Sequence, residues 1–275
     1  TTSCSTCMRP SGARRPEMTI AIAGDHGNRI VLRATPWDAR ALGRPTLDIT
    51  DLALTYETSP GSSGDEALFR SLEELCDGHR AGLVTARLSA ERRVAISRLQ
   101  AAGFRYVETV LRLRYANLAR FAPPTTGRAM ALREARPEDG PALIEQAAGT
   151  FHYGRFAEDP AIDPAVNRRR QIDWMEGLLA GKAQILVADV GETAGAFMAY
   201  RVEDGVADLI LGGTRLEQAV LAYPFWSAVL TRLRQDGIRR VDTVISAANL
   251  GVLNLYARLG FQAHETLVGL HLHRP

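Results

Sequence analysis

The sequence is poor in lysine, in cysteine and in long apolar runs. Lys182 is its single lysine, so nearly all of its 33 basic residues are arginine, and 31 acidic residues balance them to a net charge of +2. So small a net charge gives no electrostatic argument for a nucleic-acid partner. No run of about 18 apolar residues occurs, so we expect no membrane partner and a cytoplasmic protein.

Two of the three cysteines, Cys4 and Cys7, form a C-x-x-C pair in a polar start that has no apolar stretch after its basic residues. A zinc site needs about four ligands, and no second pair with suitable spacing follows. We therefore expect no metal site and interpret residues 1–17 as a disordered leader rather than a secretory signal. Cys76 lies in a helical pattern and is expected to pack as a small apolar residue. An odd cysteine count suits a reducing compartment.

A pattern occurs twice: "SAERRVAISRLQAAGF" (89–104) and "SAANLGVLNLYARLGF" (246–261) align without a gap. In both copies a predicted strand precedes this segment, and another strand follows its Gly-Phe pair. So long a separation indicates two related domains, because the repeats of a solenoid are much shorter.

The rest of the chain predicts a mixed α/β fold arranged around this repeat. The Pro- and Thr-rich stretch "FAPPTTGR" disfavours both helix and strand. We therefore predict a first domain over residues 18–120, a linker at 121–127 and a second domain over residues 128–275. The second domain reads strand, two helices, hairpin and strand, then helix, strand, helix and strand.

The helix of the second copy has clear ends. Asn249 is a good N-cap, and Tyr256 lies on an apolar face with three neighbours at helical spacing. Gly260 stands where a positive φ closes a helix, and Phe261 is expected in the core.

This element order and the segment "NLGVLNLYARLGF" resemble the GNAT acyltransferase family, whose motif ends N-x6-Y-x3-G-F. The resemblance covers residues 128–275, and the first domain is similar to a truncated copy, so the expected fold is two tandem GNAT-like domains. "FHYGRFAEDPAI" (151–162) and Trp174 are similar to the dTDP-fucosamine acetyltransferase branch. The family implies acetyl transfer from acetyl-CoA, as co-substrate, to a small-molecule amine, here an amino sugar linked to a nucleotide.

On the donor side, the resemblance implies that Asn249 and Tyr256 serve coenzyme A, with Tyr256 donating a proton to the leaving thiolate. Backbone N–H groups near Leu211 and Gly212, where the family separates two strands, would meet the oxyanion. Gly213, together with Gly212, is expected to substitute for the glycines that bind the coenzyme A pyrophosphate in the family. Helical spacing alone is equally typical of a core tyrosine.

The family's usual place for a general base is the strand "GVADLILGG", whose acid is Asp208. Because aspartate is short, we expect a bridging water. The alternative is an aspartate at a strand edge that faces solvent.

Polar groups that would bind the acceptor cluster at His152, Tyr153 and Arg155, and an arginine can bind phosphate or carboxylate in a bidentate way. Trp174 would stack on a sugar or base. A polar loop and a half-buried core tryptophan are the alternatives.

The sequence departs from the family at the pyrophosphate loop. The stretch Leu216–Leu221 has neither glycine of the [R/Q]-x-x-G-x-[G/A] pattern, and Glu217 brings a negative charge. Two alternatives to acetyl-CoA chemistry stay open: a catalytically silent binding module, or an acyltransferase that takes its thioester from a carrier protein. In the first copy Arg92 and Leu99 replace the asparagine and tyrosine, so that domain is expected to be structural or to shape the acceptor cleft. A monomer or a homodimer is expected.

Overall fold

The computed structural model describes residues 19–24, 27–54, 63–123, 130–215 and 220–275. The predicted leader lies outside these residues, as do most of the linker and positions 216–219 of the expected pyrophosphate loop. The strands are β1 (Thr19–Ala23), β2 (Arg29–Ala34), β3 (Thr46–Ala53), β4 (Leu83–Ser89), β5 (Arg105–Tyr115), β6 (Arg133–Glu134), β7 (Gln184–Val190), β8 (Thr193–Glu203), β9 (Val206–Thr214), β10 (Arg240–Ser246) and β11 (Gln262–His273). The helices are α1 (Pro36–Leu42), α2 (Ser63–Gly78), α3 (Arg93–Ala101), α4 (Gly140–Thr150), α5 (Pro164–Gly177), α6 (Ala222–Gln235) and α7 (Leu250–Arg258).

All of these strands join one mixed sheet in the order β1-β2-β3-β4-β11-β5-β10-β9-β8-β7-β6. The mixed α/β fold is therefore as expected. The sheet does not divide at the predicted linker, because β5 of the first half lies between β10 and β11 of the second half. The prediction of two tandem domains therefore rests on the sequence repeat and stays a prediction.

The two copies of the repeat exchange their last strands in a symmetric way. Val110 on β5 stands opposite Leu267 on β11, and these positions are equivalent in the repeat. Ser89 pairs with Leu267 just as its equivalent Ser246 pairs with Val110. The repeat therefore generates a local two-fold relation centred between β5 and β11.

The second repeat helix, α7, has the ends that its sequence predicts. The Asn249 side chain accepts a hydrogen bond from the Val252 N–H at 3.2 Å, which caps the helix. Gly260 has a φ of +96°, a conformation that costs glycine little. Tyr256 and Phe261 are buried, with ring centroids 4.8 Å apart.

Each half packs its own apolar core against the shared sheet. The first core includes Cys76, which is fully buried as expected, and also Leu270 from the exchanged strand β11. The second core forms around Trp226, Tyr256 and Phe261. Because β11 contributes to the first core, the exchange is fixed by packing as well as by strand hydrogen bonds. No helix in the described ranges has the length and apolar character to span a bilayer.

Candidate active site

The central feature of the second half is a gap that opens between two parallel strands. β9 and β10 pair only from Val206 opposite Arg240 to Leu209 opposite Thr243. Both strands continue beyond this point, β9 to Thr214, without pairing with each other. The Thr243 hydroxyl donates to the Leu209 carbonyl at 3.0 Å, where the strands part. Backbone groups of the parted segments are therefore available to a ligand.

A β-bulge at Ile210 sits where the gap begins. Leu209 faces Tyr200, whereas Leu211 faces Ala199, so Ile210 is the extra residue. A bulge leaves one residue outside the ladder and bends its strand. The bend opens the gap at the point where Leu211 and Gly212 follow.

Gly212 lines this gap at a point where its neighbours leave no room for a side chain. A Cβ atom at position 212 would lie 2.5 Å from Cε of Met198 and 3.2 Å from Cζ2 of Trp226. At Gly213 the nearest atom would be 3.5 Å away, an ordinary contact. Gly212 lines the site and Gly213 does not.

A cleft of about 480 Å³ runs from this gap across the face of the sheet. It brings together most of the residues predicted for the site: Tyr153, Arg155, Trp174, Asp208, Leu211, Gly212, Asn249 and Tyr256. Exposed His152 is not among its lining residues.

Tyr256 reaches the cleft from α7 and is 4% exposed. Burial raises the pKa of its hydroxyl, while the polar groups of Trp226 and Thr243 oppose part of that rise. A tyrosine with a raised pKa stays protonated at neutral pH. It can therefore donate a proton to a leaving group.

Asp208 lies on β9, between Arg201 on β8 and Asp242 on β10, and it is exposed to the cleft. The surrounding protein partly desolvates its carboxyl and so raises its pKa; Arg201 opposes this rise and the negative charge of Asp242 adds to it. A carboxylate with a raised pKa is a better proton acceptor near neutral pH.

The segment 151–163 between α4 and α5 does not offer Arg155 freely to a ligand. Arg155 forms an ion pair with Asp38, a fully buried residue on α1 of the first half. Arg170 on α5 donates to the same carboxylate at 2.6 Å. Asp38 therefore joins the two halves, and Arg170 is half-buried in this contact, whereas its neighbours Arg168 and Arg169 are exposed.

Helix α5 supplies an aromatic and amide wall. Trp174 is partly buried, with the Arg170 guanidinium 5.5 Å from its ring centroid. Asn167 and Gln171, one turn apart, also line the cleft, and each has a buried side-chain oxygen that finds no hydrogen-bond partner among the described residues. The sequence prediction missed both amides.

The first half lines the cleft with charged residues that the sequence prediction also missed: Arg33, Asp48, Arg87 and Glu108. Glu108 is 1% exposed and accepts from Nε of Arg87 at 2.9 Å. Gly269 leaves room for it, since a Cβ there would lie 2.6 Å from Glu108 Cγ. In the sheet, Asp48 occupies the same strand register in the first half as Asp208 in the second, an equivalence that only the strand pairing reveals.

One cluster outside the cleft has potential metal ligands. Nδ1 of His271 and Nε2 of His273 lie 2.6 and 2.7 Å from the same Asp159 carboxylate oxygen. These are hydrogen-bond distances, so the three side chains satisfy one another.

Neither a protein-family model nor a curated protein matches the chain. Solved structures do match. A GCN5-related N-acetyltransferase from Sphaerobacter thermophilus is 16% identical, with a TM-score of 0.65 over 96% of this chain and 84% of its own. The tandem GNAT protein of the clavulanic acid biosynthesis pathway is 15% identical, with a TM-score of 0.54 over 91% and 81%.

A third match is a glucosamine N-acetyltransferase region of a fungal multi-domain β-N-acetylglucosaminidase. It is 12% identical, with a TM-score of 0.63 over 90% of this chain and 32% of that chain. Together these matches show that the chain has the GCN5-related N-acetyltransferase fold. At such identities they show the fold alone.

Proposed function

We propose that the protein is an N-acyltransferase that moves an acetyl group from acetyl-CoA to an amino group of a small molecule. The observation that carries this proposal is the gap between β9 and β10, with Tyr256 and Asp208 lining one cleft beside it. The fold shared with N-acetyltransferases supports the same reaction.

Each group has a role in this proposal. Asp208 accepts the proton of the incoming amine through a water molecule. Backbone N–H groups near Leu211 and Gly212 stabilise the oxyanion that forms at the thioester carbonyl. Tyr256 gives its proton to the thiolate as the carbon–sulfur bond breaks. The amide product and free coenzyme A then leave.

The donor nucleotide would bind at the N-terminus of α6. Among the described residues no side chain caps this helix, which begins at Ala222, and the positive end of its dipole favours a pyrophosphate there. Of the two glycines that the sequence offered as substitutes for the missing loop glycines, only Gly212 lines the cleft, so the donor role falls to Gly212 alone.

We propose a nucleotide-linked amino sugar as the acceptor. Charged and amide side chains dominate the acceptor side of the cleft, which suits a polyhydroxylated and charged molecule. The fungal neighbour is described as a glucosamine N-acetyltransferase region, which supports an amino sugar.

Because the pyrophosphate loop lacks the glycines of the family pattern, two other functions have to be tested: a catalytically silent binding module, and an acyltransferase with a carrier-protein donor. The experiment is release of free thiol from acetyl-CoA with a panel of amines, repeated with acetyl-phosphopantetheine. Turnover with acetyl-CoA supports the proposal. Turnover with the pantetheine thioester alone supports a carrier donor, and absence of turnover with both supports a binding module.

A further inference from the structure

A buried N–H group beside Tyr256 has no hydrogen-bond partner in the part of the chain that the structure describes. This group is Nε1 of Trp226 on α6, a residue that is 3% exposed and lines the cleft. Native proteins seldom keep a buried donor unpaired, and those that do so often keep it at a functional site.

The packing around the indole holds it in place. Its ring meets the Tyr256 ring edge-on, with centroids 6.4 Å apart and planes at 81°. Phe225 packs against it at 5.4 Å, and a Cβ at Gly212 would lie 3.2 Å from its Cζ2 atom. The indole therefore lies between the tyrosine and the wall of the gap, with little freedom to turn away.

Two polar side chains act on the Tyr256 hydroxyl, and only one of them still has a hydrogen to donate. Both Trp226 and Thr243 lower the pKa of Tyr256, against the effect of burial. The Thr243 hydroxyl already gives its hydrogen to the Leu209 carbonyl. Among the described charged groups, Asp208 acts on the same hydroxyl and raises its pKa. The Trp226 N–H is thus the donor available to a negatively charged Tyr256 oxygen.

We infer that Trp226 is a positioning residue for the transfer reaction, whose indole N–H donates to the Tyr256 oxygen after that oxygen has given its proton to the leaving thiolate. In this step the O–H bond of Tyr256 breaks, an S–H bond forms on coenzyme A, and the O–H electron pair stays on the tyrosine oxygen. The Trp226 N–H then forms the hydrogen bond that the resting structure lacks, because catalytic hydrogen bonds tighten as charge develops on the acceptor. The inference rests on the function proposed above.

The test reads the ionisation of position 256 without needing turnover. A fluorinated tyrosine is incorporated at position 256, and its ionisation is followed by ¹⁹F NMR in the full chain. Trp226→Phe is expected to raise the pKa at position 256 by about one pH unit, because it removes a hydrogen bond to a charged oxygen. Phe225→Leu is the matched control: it removes an aromatic ring from the same helix but no N–H, and is expected to leave that pKa unchanged.

An unchanged pKa in Trp226→Phe, or an equal shift in Phe225→Leu, overturns the inference. If Trp226→Phe fails to fold, a benzothienyl analogue of tryptophan at position 226 keeps the ring shape and lacks the N–H, with the same expected shift. With acetyl-CoA and an accepted amine, Trp226→Phe should lower kcat about tenfold and move the basic limb of the kcat profile to higher pH, with KM for acetyl-CoA unchanged. A shifted pKa in a protein without acetyl transfer supports the hydrogen bond and contradicts the proposed function.

Discussion

Replacing Gly212 by alanine tests whether the wall of the gap is as tight as the structure shows. The added Cβ would lie 2.5 Å from Met198 Cε, 2.8 Å from Met198 Sδ and 3.2 Å from Trp226 Cζ2. Met198 is flexible but only 1% exposed, so it cannot move without displacing its neighbours. Overpacking of this kind costs about 1–3 kcal/mol, and the reduced entropy of the unfolded chain returns about 0.4–1 kcal/mol of it. The difference is about 0–2.6 kcal/mol, and because two buried neighbours must move we expect Gly212→Ala to destabilise the protein by about 1–2.6 kcal/mol, the upper part of that range.

The assay is urea denaturation, with acetyl-CoA affinity measured on the same samples. Gly213→Ala is the control, because its nearest neighbour would be 3.5 Å away, and it should be neutral or slightly stabilising. Gly212→Ala should also weaken acetyl-CoA binding, since the displaced Met198 and Trp226 move into the cleft. The cost should fall when Met198 is alanine as well, because the two sites share one space. Equal stability losses at positions 212 and 213 would refute the reasoning.

The remaining predictions concern the catalytic acid and two buried clusters. Tyr256→Phe should lower kcat about 10²-fold or more while the melting temperature changes little; steady-state kinetics with a thermal melt checks both, and an unchanged rate would remove Tyr256 as the acid. Asp38→Asn leaves two guanidinium groups without their buried carboxylate and should cost about 3–5 kcal/mol in urea denaturation. The control Asp51→Asn removes an exposed ion pair and should cost less than about 1 kcal/mol. Similar costs for the two variants would contradict the role of Asp38 in joining the two halves. Burial by itself would raise the pKa of Asp159, but hydrogen bonds from two histidines and a backbone N–H hold that pKa below its usual range. Burial lowers the pKa of His271. Both folded-state pKa values lie below the unfolded ones, so the stability that these groups contribute is present at high pH and is lost as pH falls. The contribution of His271 is lost below about pH 6.5 and that of Asp159 below about pH 4. Denaturation from pH 8 to pH 3 measures this loss, and a flat profile would contradict it.

Local signals in the sequence predicted the elements of the second half well. The N-cap at Asn249, the positive φ of Gly260 and the burial of Phe261 all follow from residue type and spacing. Tyr256 and Asp208 line one cleft because a helix face and a strand alternation each fix where a side chain points.

The exchange of β5 and β11 could not be predicted in the same way. The two strands have similar apolar patterns, so each half could pair its own strand or that of the other half with equal local preference. The partners of Arg155 and Arg170 were hidden for a related reason. Asp38 is far away in sequence, and only the docking of α5 on α1 brings it to them.

The acceptor side of the cleft contains residues whose role could not be predicted from the sequence alone. Charged residues such as Asp48 and Glu108 look like solvated strand positions when the first half is read alone. They line a cleft because the shared sheet continues from one half into the other. The strand exchange therefore makes the first half part of the candidate site.

The central claim is that the gap between β9 and β10 binds acetyl-CoA, and calorimetry measures this most directly. The purified chain is titrated with acetyl-CoA, with desulfo-CoA and with bare phosphopantetheine. The account predicts saturable binding of both coenzyme A ligands, weakened by Gly212→Ala and retained in Tyr256→Phe. No binding of either coenzyme A ligand would contradict it, and binding of phosphopantetheine alone would point to a carrier-protein donor.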